Sequence, residues 1–258
     1  MVLIGRSQQA LEQLGQELSA GRTAAAALCI DLTDRDAGEQ IERALSDRGL
    51  YCDILINSAG FGLFGPAAEI DRNEQLDLLD VNARVLTELT LRFLPAMVAR
   101  RRGGILNVGS ITGYSAGPNM AVYYASKAYV RFLSAALAAE VANSGVTITC
   151  LCPGPVRTAF FERCKVGQTR LAKIMPRANA SDTAEAGWRG FKAGKSLVIP
   201  RAIDRMIATL AVLVPASILV RLVGALQQAS PRSSEQSLVA QTARDRLRDE
   251  QEIGRDSR

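Results

Sequence analysis

"DILINSAG", residues 53–60, is apolar from Ile54 to Ile56 and then turns through Ser58, Ala59 and Gly60. A strand wetted on one face alternates apolar and polar side chains, whereas a strand covered on both faces has no reason to. The same pattern recurs along the chain. "MVLIG" (1–5), "AALCIDL" (26–32), "GILNVGS" (104–110), "VTITCLCPG" (146–154) and "KSLVIP" (195–200) read as strands. Helical stretches fall between them, over 7–19 behind a serine cap, near 34–48, over roughly 72–101 and near 121–143. Apolar strands each followed by a helix predict a doubly wound α/β fold on a parallel sheet. Such sheets bind ligands beyond the C-terminal ends of their strands. Arg6, Asp31, Asn57 to Gly60, Ser110 and Pro153-Gly154 all close a strand or follow one directly.

The 258 residues suffice for one large domain, and 48% hydrophobic with 22% charged residues is ordinary for a globular chain. We expect an α/β domain over 1–200, apolar helices over 201–229 and a polar tail over 230–258, with a short helix around 235–250. The net charge of +5 is spread out, and its sharpest cluster, "ARRRGG" (99–104), suits a helix end stopped by Gly103-Gly104. Nucleic acid is therefore not an expected partner. The chain has no histidine and its five cysteines form no CxxC pair, which argues against the usual zinc sites and against Ser-His or Cys-His catalysis. "MVLIGRSQQA" does not read as a secretory signal, so a reducing cytoplasmic setting is expected. The uncharged run Met206 to Val220 spans 15 residues and contains Pro215, whereas a bilayer span needs ~20. It reads as two short helices packed on the core or over a substrate, and peripheral membrane contact through 203–226 is the alternative.

Tyr123 and Lys127, in "VYYASKAYV" (122–130), are four residues apart and share one helix face. An ammonium beside a phenol favours the phenolate, and a shift of roughly three units corresponds to about 4 kcal/mol. A partly desolvated lysine together with a second cation could supply it. Tyr124 points about 100° further round the helix and reads as a packing residue. The pattern alone is weak, since a surface helix can carry it. Ser110 strengthens it: a hydroxyl at a strand end, 13 residues before Tyr123, could meet a substrate oxygen as its charge changes. Asn82, polar within the apolar "LLDVNARVL", is either a satisfied core residue or a link holding a water against Lys127.

Taken in order, "NSAG" (57–60), "VN" (81–82), Ser110, "YYASK" (123–127) and "PGPVRT" (153–158) resemble the motif series of the short-chain dehydrogenase/reductase family. The resemblance covers about residues 1–200. It implies a Rossmann-type doubly wound sheet, a nicotinamide cofactor and hydride transfer between a carbonyl and an alcohol. Tyr123 would be the general acid/base, Lys127 would tune it and bind the nicotinamide ribose, Ser110 would orient the substrate oxygen, and Asn82 would complete a proton relay. Asn57, Ala59 and Gly60 would line the adenosine ribose, and Pro153, Gly154, Val156 and Thr158 the nicotinamide and pyrophosphate. Asp31 and Leu32 would border the adenine. Arg6, with Ser7 and no acidic neighbour, favours NADP over NAD, because a guanidinium can fork onto a 2′-phosphate.

Two departures qualify the match. Ser58 replaces the family's second asparagine, a mild change. More seriously, the family's first strand and its glycine-rich turn are absent from this chain, which opens at what resembles the second strand. The missing strand would be central, between 1–5 and 53–58, and its loss is expected to leave two buried strand edges. The preferred explanation is a native start upstream of Met1, and the other is a truncated, cofactor-incompetent remnant acting as an interaction protein. A nucleotide-sugar epimerase is a third reading, disfavoured because only about 58 residues follow Pro200. Residues 160–194 and 203–226 are expected to cover an apolar, lipid- or steroid-like substrate. The helices at 72–101 and 121–143 are expected to pair subunits in a homodimer or homotetramer.

Overall fold

The computed structural model describes residues 1–21, 23–164 and 169–228, so the expected helix around 235–250 lies outside the described residues. Six parallel strands form in chain order: β1 (Val2–Gly5), β2 (Ala26–Cys29), β3 (Ile54–Asn57), β4 (Gly103–Val108), β5 (Val146–Leu151) and β6 (Leu197–Val198). The helices between them are α1 (Gln8–Ala20), α2 (Ala37–Ser46), α3 (Arg72–Leu79), α4 (Val85–Arg100) and α5 (Ala121–Glu140). Beyond β5 come α6 (Phe160–Arg163), α7 (Arg170–Ile174), α8 (Ala180–Lys192), α9 (Ala202–Leu213) and α10 (Ala216–Gln227).

Local chemistry accounts for the boundaries. Ser7 caps α1 by accepting from Ala10 N at 3.3 Å, and the Asp71 carboxylate caps α3 by accepting from Asn73 N and Glu74 N at 2.8 and 3.1 Å. The expected stop of α4 at Gly103 comes slightly earlier, because Arg101 itself adopts a left-handed conformation at φ +52°. Pro215 ends α9 and caps α10. Sequence periodicity did not reveal α6, α7 and α8, which fill the region expected to cover the substrate.

The sheet is divided. β1 pairs with β2, and β3-β4-β5-β6 form a second set, with no ladder between β1 and β3. The division falls where the central strand was expected to be missing. Both parts nevertheless rest on one helix layer. Val2, Ile4 and Leu28 from the first part and Leu55, Ile105 and Ile148 from the second pack against α2 and α4 in a single cluster around Ile41, Leu89, Phe93 and Met97. Arg92 of α4 reaches Glu42 of α2 at 2.6 Å, and Arg84 donates to the Thr33 and Asp34 carbonyls at 3.0 and 3.1 Å.

One expectation needs correcting here. β4 is covered on both faces, with Ile105 towards α4 and Leu106 packed with Leu151 and Phe191 on the α8 side. β3 is not. Ile54 and Ile56 are 42% and 50% exposed, because α1 packs on β1 and β2 and α8 on β5 and β6, leaving that face of β3 uncovered among the described residues. The cost of that opening falls on exposed isoleucine surface.

Candidate active site

Three elements meet at the C-terminal ends of β3 to β5. The first is the turn after β4. Ser110 Oγ accepts from Thr112 N at 3.1 Å and opens a single helical turn, Ile111–Tyr114. That turn lies against α5 because Gly113 carries no side chain; a Cβ there would sit 2.6 Å from the Lys127 carbonyl oxygen. The second is α5, which buries Tyr123, Tyr124, Ser126 and Lys127 together. The third is a π-helical turn, Asp80–Arg84, joining α3 to α4. Its extra residue per turn turns Asn82 wholly inward, and turns of this kind recur at functional sites.

Asn82 ties the other two together. Its Oδ1 accepts from Phe61 N at 3.0 Å, and its Nδ2 donates to Phe61 O at 2.9 Å and to Ser126 Oγ at 3.1 Å. The Ser126 hydroxyl in turn donates to the Tyr123 carbonyl at 2.7 Å. Gly60 leaves a gap beside this network: a Cβ there would lie 2.9 Å from Asn82 Oδ1 and 3.5 Å from Lys127 Nζ. Both polar atoms therefore border the same small space.

Lys127 Nζ donates to the Val108 carbonyl at 2.9 Å and stands 5.9 Å from the centroid of the Tyr123 ring. Burial pulls its pKa down to about 8. Burial also pushes the Tyr123 phenol well above its ordinary value, opposed in part by the Ser110 and Thr112 hydroxyls. That is opposite to the shift expected from the lysine alone, because desolvation dominates in a pocket closed by Phe160, whose ring centre lies 5.3 Å from that of Tyr123. Tyr124 is a packing residue whose hydroxyl accepts from Gln227 Nε2 of α10 at 2.8 Å.

The remaining sequence-derived positions scatter more widely. Pro153, Gly154 and Val156 are half-buried, with Ile111 N donating to Pro153 O at 3.0 Å next to Ser110, and Thr158 is exposed. Ala59 and Gly60 are exposed at the end of β3. The Asn57 side chain turns inward instead, donating to Asn107 Oδ1 at 2.8 Å and Thr90 Oγ1 at 3.3 Å, so only its backbone is left for a ligand. Arg6 is exposed after β1, near enough to lower the Asp31 pKa, although the Thr33 backbone N–H contributes most to that shift. Leu32 packs against the core cluster.

These residues fit a nicotinamide cofactor at one end. Lys127 has three N–H donors and one acceptor, Val108 O, so a buried cation is left with donors for ribose hydroxyls. Thr112 Oγ1 is buried within reach of the Tyr123 phenol. At the pyrophosphate end the fit is poorer, since no glycine-rich turn opens a helix among the described residues.

Sequence reasoning passed over Ser126, Thr112, Phe160 and a buried clamp. In the clamp, Arg201 Nε and Nη2 each donate to the Asp204 carboxylate at 2.7 Å, and Asp204 Oδ2 accepts from Gly154 N at 3.2 Å. One signal for it was present, since Asp204 is the sole acid between 201 and 228.

The family model for short chain dehydrogenases matches residues 1–168. The chain belongs to the short-chain dehydrogenase family. It is 33% identical over 187 residues to a sulfoacetaldehyde reductase of Chromohalobacter salexigens, covering 72% of this chain and 74% of that one. It is also 33% identical over 163 residues to the bovine very-long-chain 3-oxoacyl-CoA reductase, covering 61% of this chain and 52% of that protein. Among solved structures, a short-chain dehydrogenase from Sphingobium yanoikuyae in complex with NADPH superposes with a TM-score of 0.71 at 28% identity, covering 81% of each chain. The family's parallel α/β architecture is thus present. No described helix is long and apolar enough to cross a membrane.

Proposed function

We propose that this short-chain dehydrogenase interconverts a carbonyl and an alcohol with NADP(H) as hydride carrier and Tyr123 as general acid/base. The convergence of Tyr123, Lys127, Ser110 and Asn82 in one buried corner carries the reading. When bound, the cofactor supplies the hydride and, in its oxidised form, a positive charge. In the reductive direction the Tyr123 phenol donates its proton to the carbonyl oxygen, which becomes the alcohol. Ser110 donates a hydrogen bond to that oxygen as negative charge develops on it. The Lys127 ammonium stabilises the phenolate left behind and holds the ribose. The space between Asn82 Oδ1 and Lys127 Nζ suits a water through which the proton is replaced.

Arg6 supports NADP(H) over NAD(H), and Pro153, Gly154, Val156, Thr158, Ala59 and Gly60 would line the cofactor, with Asp31 and Leu32 beside its adenine. The wall facing Tyr123 favours an apolar substrate: Phe61, Leu63, Phe160, Phe161 and Val223 pack around it. A bovine relative is, by its name, a very-long-chain 3-oxoacyl-CoA reductase, whose substrate carries a long apolar chain. Exposed Leu91 of α4 with Tyr129 and Phe132 of α5 suits pairing with a second copy. Cys29, Cys52, Cys150 and Cys152 are free thiols, which suits a reducing cytoplasmic setting.

NADPH oxidation against steroid, fatty-acyl and small polar ketones tests the reading. Turnover on the apolar ketones that disappears in Tyr123→Phe, with NADPH affinity retained, is the expected result. The divided sheet favours a second reading, a non-catalytic interaction protein. Failure to bind NADPH at all would select it.

A further inference from the structure

Helix α9 turns most of its large apolar side chains away from the core. Only Asp204 and Ala208 are buried, with Ile207 and Ala211 half-buried. Four other large apolar side chains, Ile203, Met206, Leu210 and Leu213, recur at intervals of three and four residues and so share one face. That face points to solvent, from 40% exposed at Ile203 to 72% at Leu213. Val212 extends it, and across the Pro215 corner α10 presents Ile218 and Leu222, 57% and 54% exposed. Scattered exposed leucines need no explanation, but a continuous apolar stripe marks an interaction surface.

Charge decides the partner. Residues 201–228 contain three arginines and a single acid, and that acid is buried and neutralised by Arg201. Arg205 opens the stripe, anchored by donating to the Ile199 and Pro200 carbonyls at 3.2 and 3.4 Å, and Arg221 closes it between Ile218 and Leu222. No exposed carboxylate lies on either helix. An aliphatic face flanked by cations and free of acids matches an interface of acyl chains beneath anionic headgroups. A second copy of the same face would instead set Arg205 and Arg221 against their own kind. We infer that the outer face of α9 and α10 docks the protein on an anionic lipid bilayer, lying on it rather than crossing it. The docking does not depend on the chemistry at Tyr123, so the two can fail separately.

Flotation of the full chain with vesicles of phosphatidylcholine alone, or mixed with phosphatidylglycerol, reads the docking directly. The expected result is binding to the mixed vesicles, weakened by salt and reduced on phosphatidylcholine alone. Met206→Glu/Leu210→Glu, two outward positions away from Tyr123, should weaken binding at least about tenfold while circular dichroism and NADPH affinity stay unchanged. Arg221→Glu should weaken binding to mixed vesicles and leave phosphatidylcholine binding as it was. No flotation with anionic vesicles, or flotation indifferent to Met206→Glu/Leu210→Glu, overturns the inference. So does an oligomer in lipid-free solution that this double substitution dissociates, which would make the face a contact between copies.

Discussion

The Lys127 ammonium is held 2.9 Å from the Val108 carbonyl, inside the protein, with no carboxylate among the described residues paired to it. A buried cation satisfied by one neutral acceptor is a thermodynamic burden, and the depression of its pKa from 10.5 to about 8 measures it. At 1.36 kcal/mol per unit the gap is on the order of 3 kcal/mol. The folded state gives up this proton more readily than the unfolded chain. The cost is therefore complete below pH about 8, fades as pH rises towards 10.5 and is gone above it. Lys127→Met should raise stability at pH 7 by roughly 1–3 kcal/mol, after allowing for the lost bond to Val108, while abolishing turnover. Urea unfolding of both proteins at pH 7 and pH 10 checks it. The advantage should shrink at the higher pH, and a variant less stable than the wild type at pH 7 would refute the account.

Asn82 and Ser126 form one mechanical unit between the Gly60-Phe61 loop and α5. Asn82→Ala removes three hydrogen bonds at a fully buried position, and its cost should be about 2–4 kcal/mol. Ser126→Ala, which leaves the Phe61 pairing intact, should cost about 1 kcal/mol. Because they share a bond, the double variant should lose less than the sum, with a coupling of at least ~0.5 kcal/mol in urea unfolding. Strict additivity would mean that the 3.1 Å contact contributes nothing.

How much of this was legible beforehand divides by physical cause. The strands, the helices up to α5 and the shared face of Tyr123 and Lys127 follow from apolar runs and helical spacing, which are local signals, whereas the meeting of Ser110 and Asn82 with them was implied by the family resemblance. The open face of β3 was not legible, because Ile54 and Ile56 read as buried in any apolar run and their exposure depends on which helices pack elsewhere. The inward turn of Asn57 was hidden for a related reason, since its partners Thr90 and Asn107 are 33 and 50 residues away. The π-turn at Asn82 and the burial that raises the Tyr123 pKa likewise arise only once distant segments meet.

Arg6 is exposed where β1 ends, the Asp31 carboxylate close enough to feel it and already engaged by Thr33 N and Thr33 Oγ1, each at 2.9 Å. A 2′-phosphate arriving there meets a guanidinium that no carboxylate among the described residues holds in an ion pair. Arg6→Glu should lower kcat/KM for NADPH on the order of tenfold or more, and should raise the relative efficiency with NADH, because a carboxylate repels the phosphate and accepts from a free 2′-hydroxyl. Steady-state kinetics with both cofactors decides it. An unchanged ratio would place the adenosine end of the cofactor away from β1.

Asp204 offers a test that separates holding the fold from holding the site. Its carboxylate receives two bonds from Arg201 and one from Gly154 N, and Arg201 Nη1 also donates to the Pro176 carbonyl at 2.5 Å. The clamp thus joins α9, the Gly154 turn and the segment before α8. Asp204→Asn keeps an acceptor for Gly154 N but loses the charge, leaving Arg201 without its counterion. The expected loss is about 2–4 kcal/mol, moderated because the arginine is partly exposed. Asp204→Ala should destabilise at least as much and also free the Gly154 turn. If that turn cradles the nicotinamide, Asp204→Ala should raise the KM for NADPH severalfold while Asp204→Asn leaves it near the wild-type value. Equal KM values in the two variants, at temperatures where both are folded, would reduce the clamp to a structural tie.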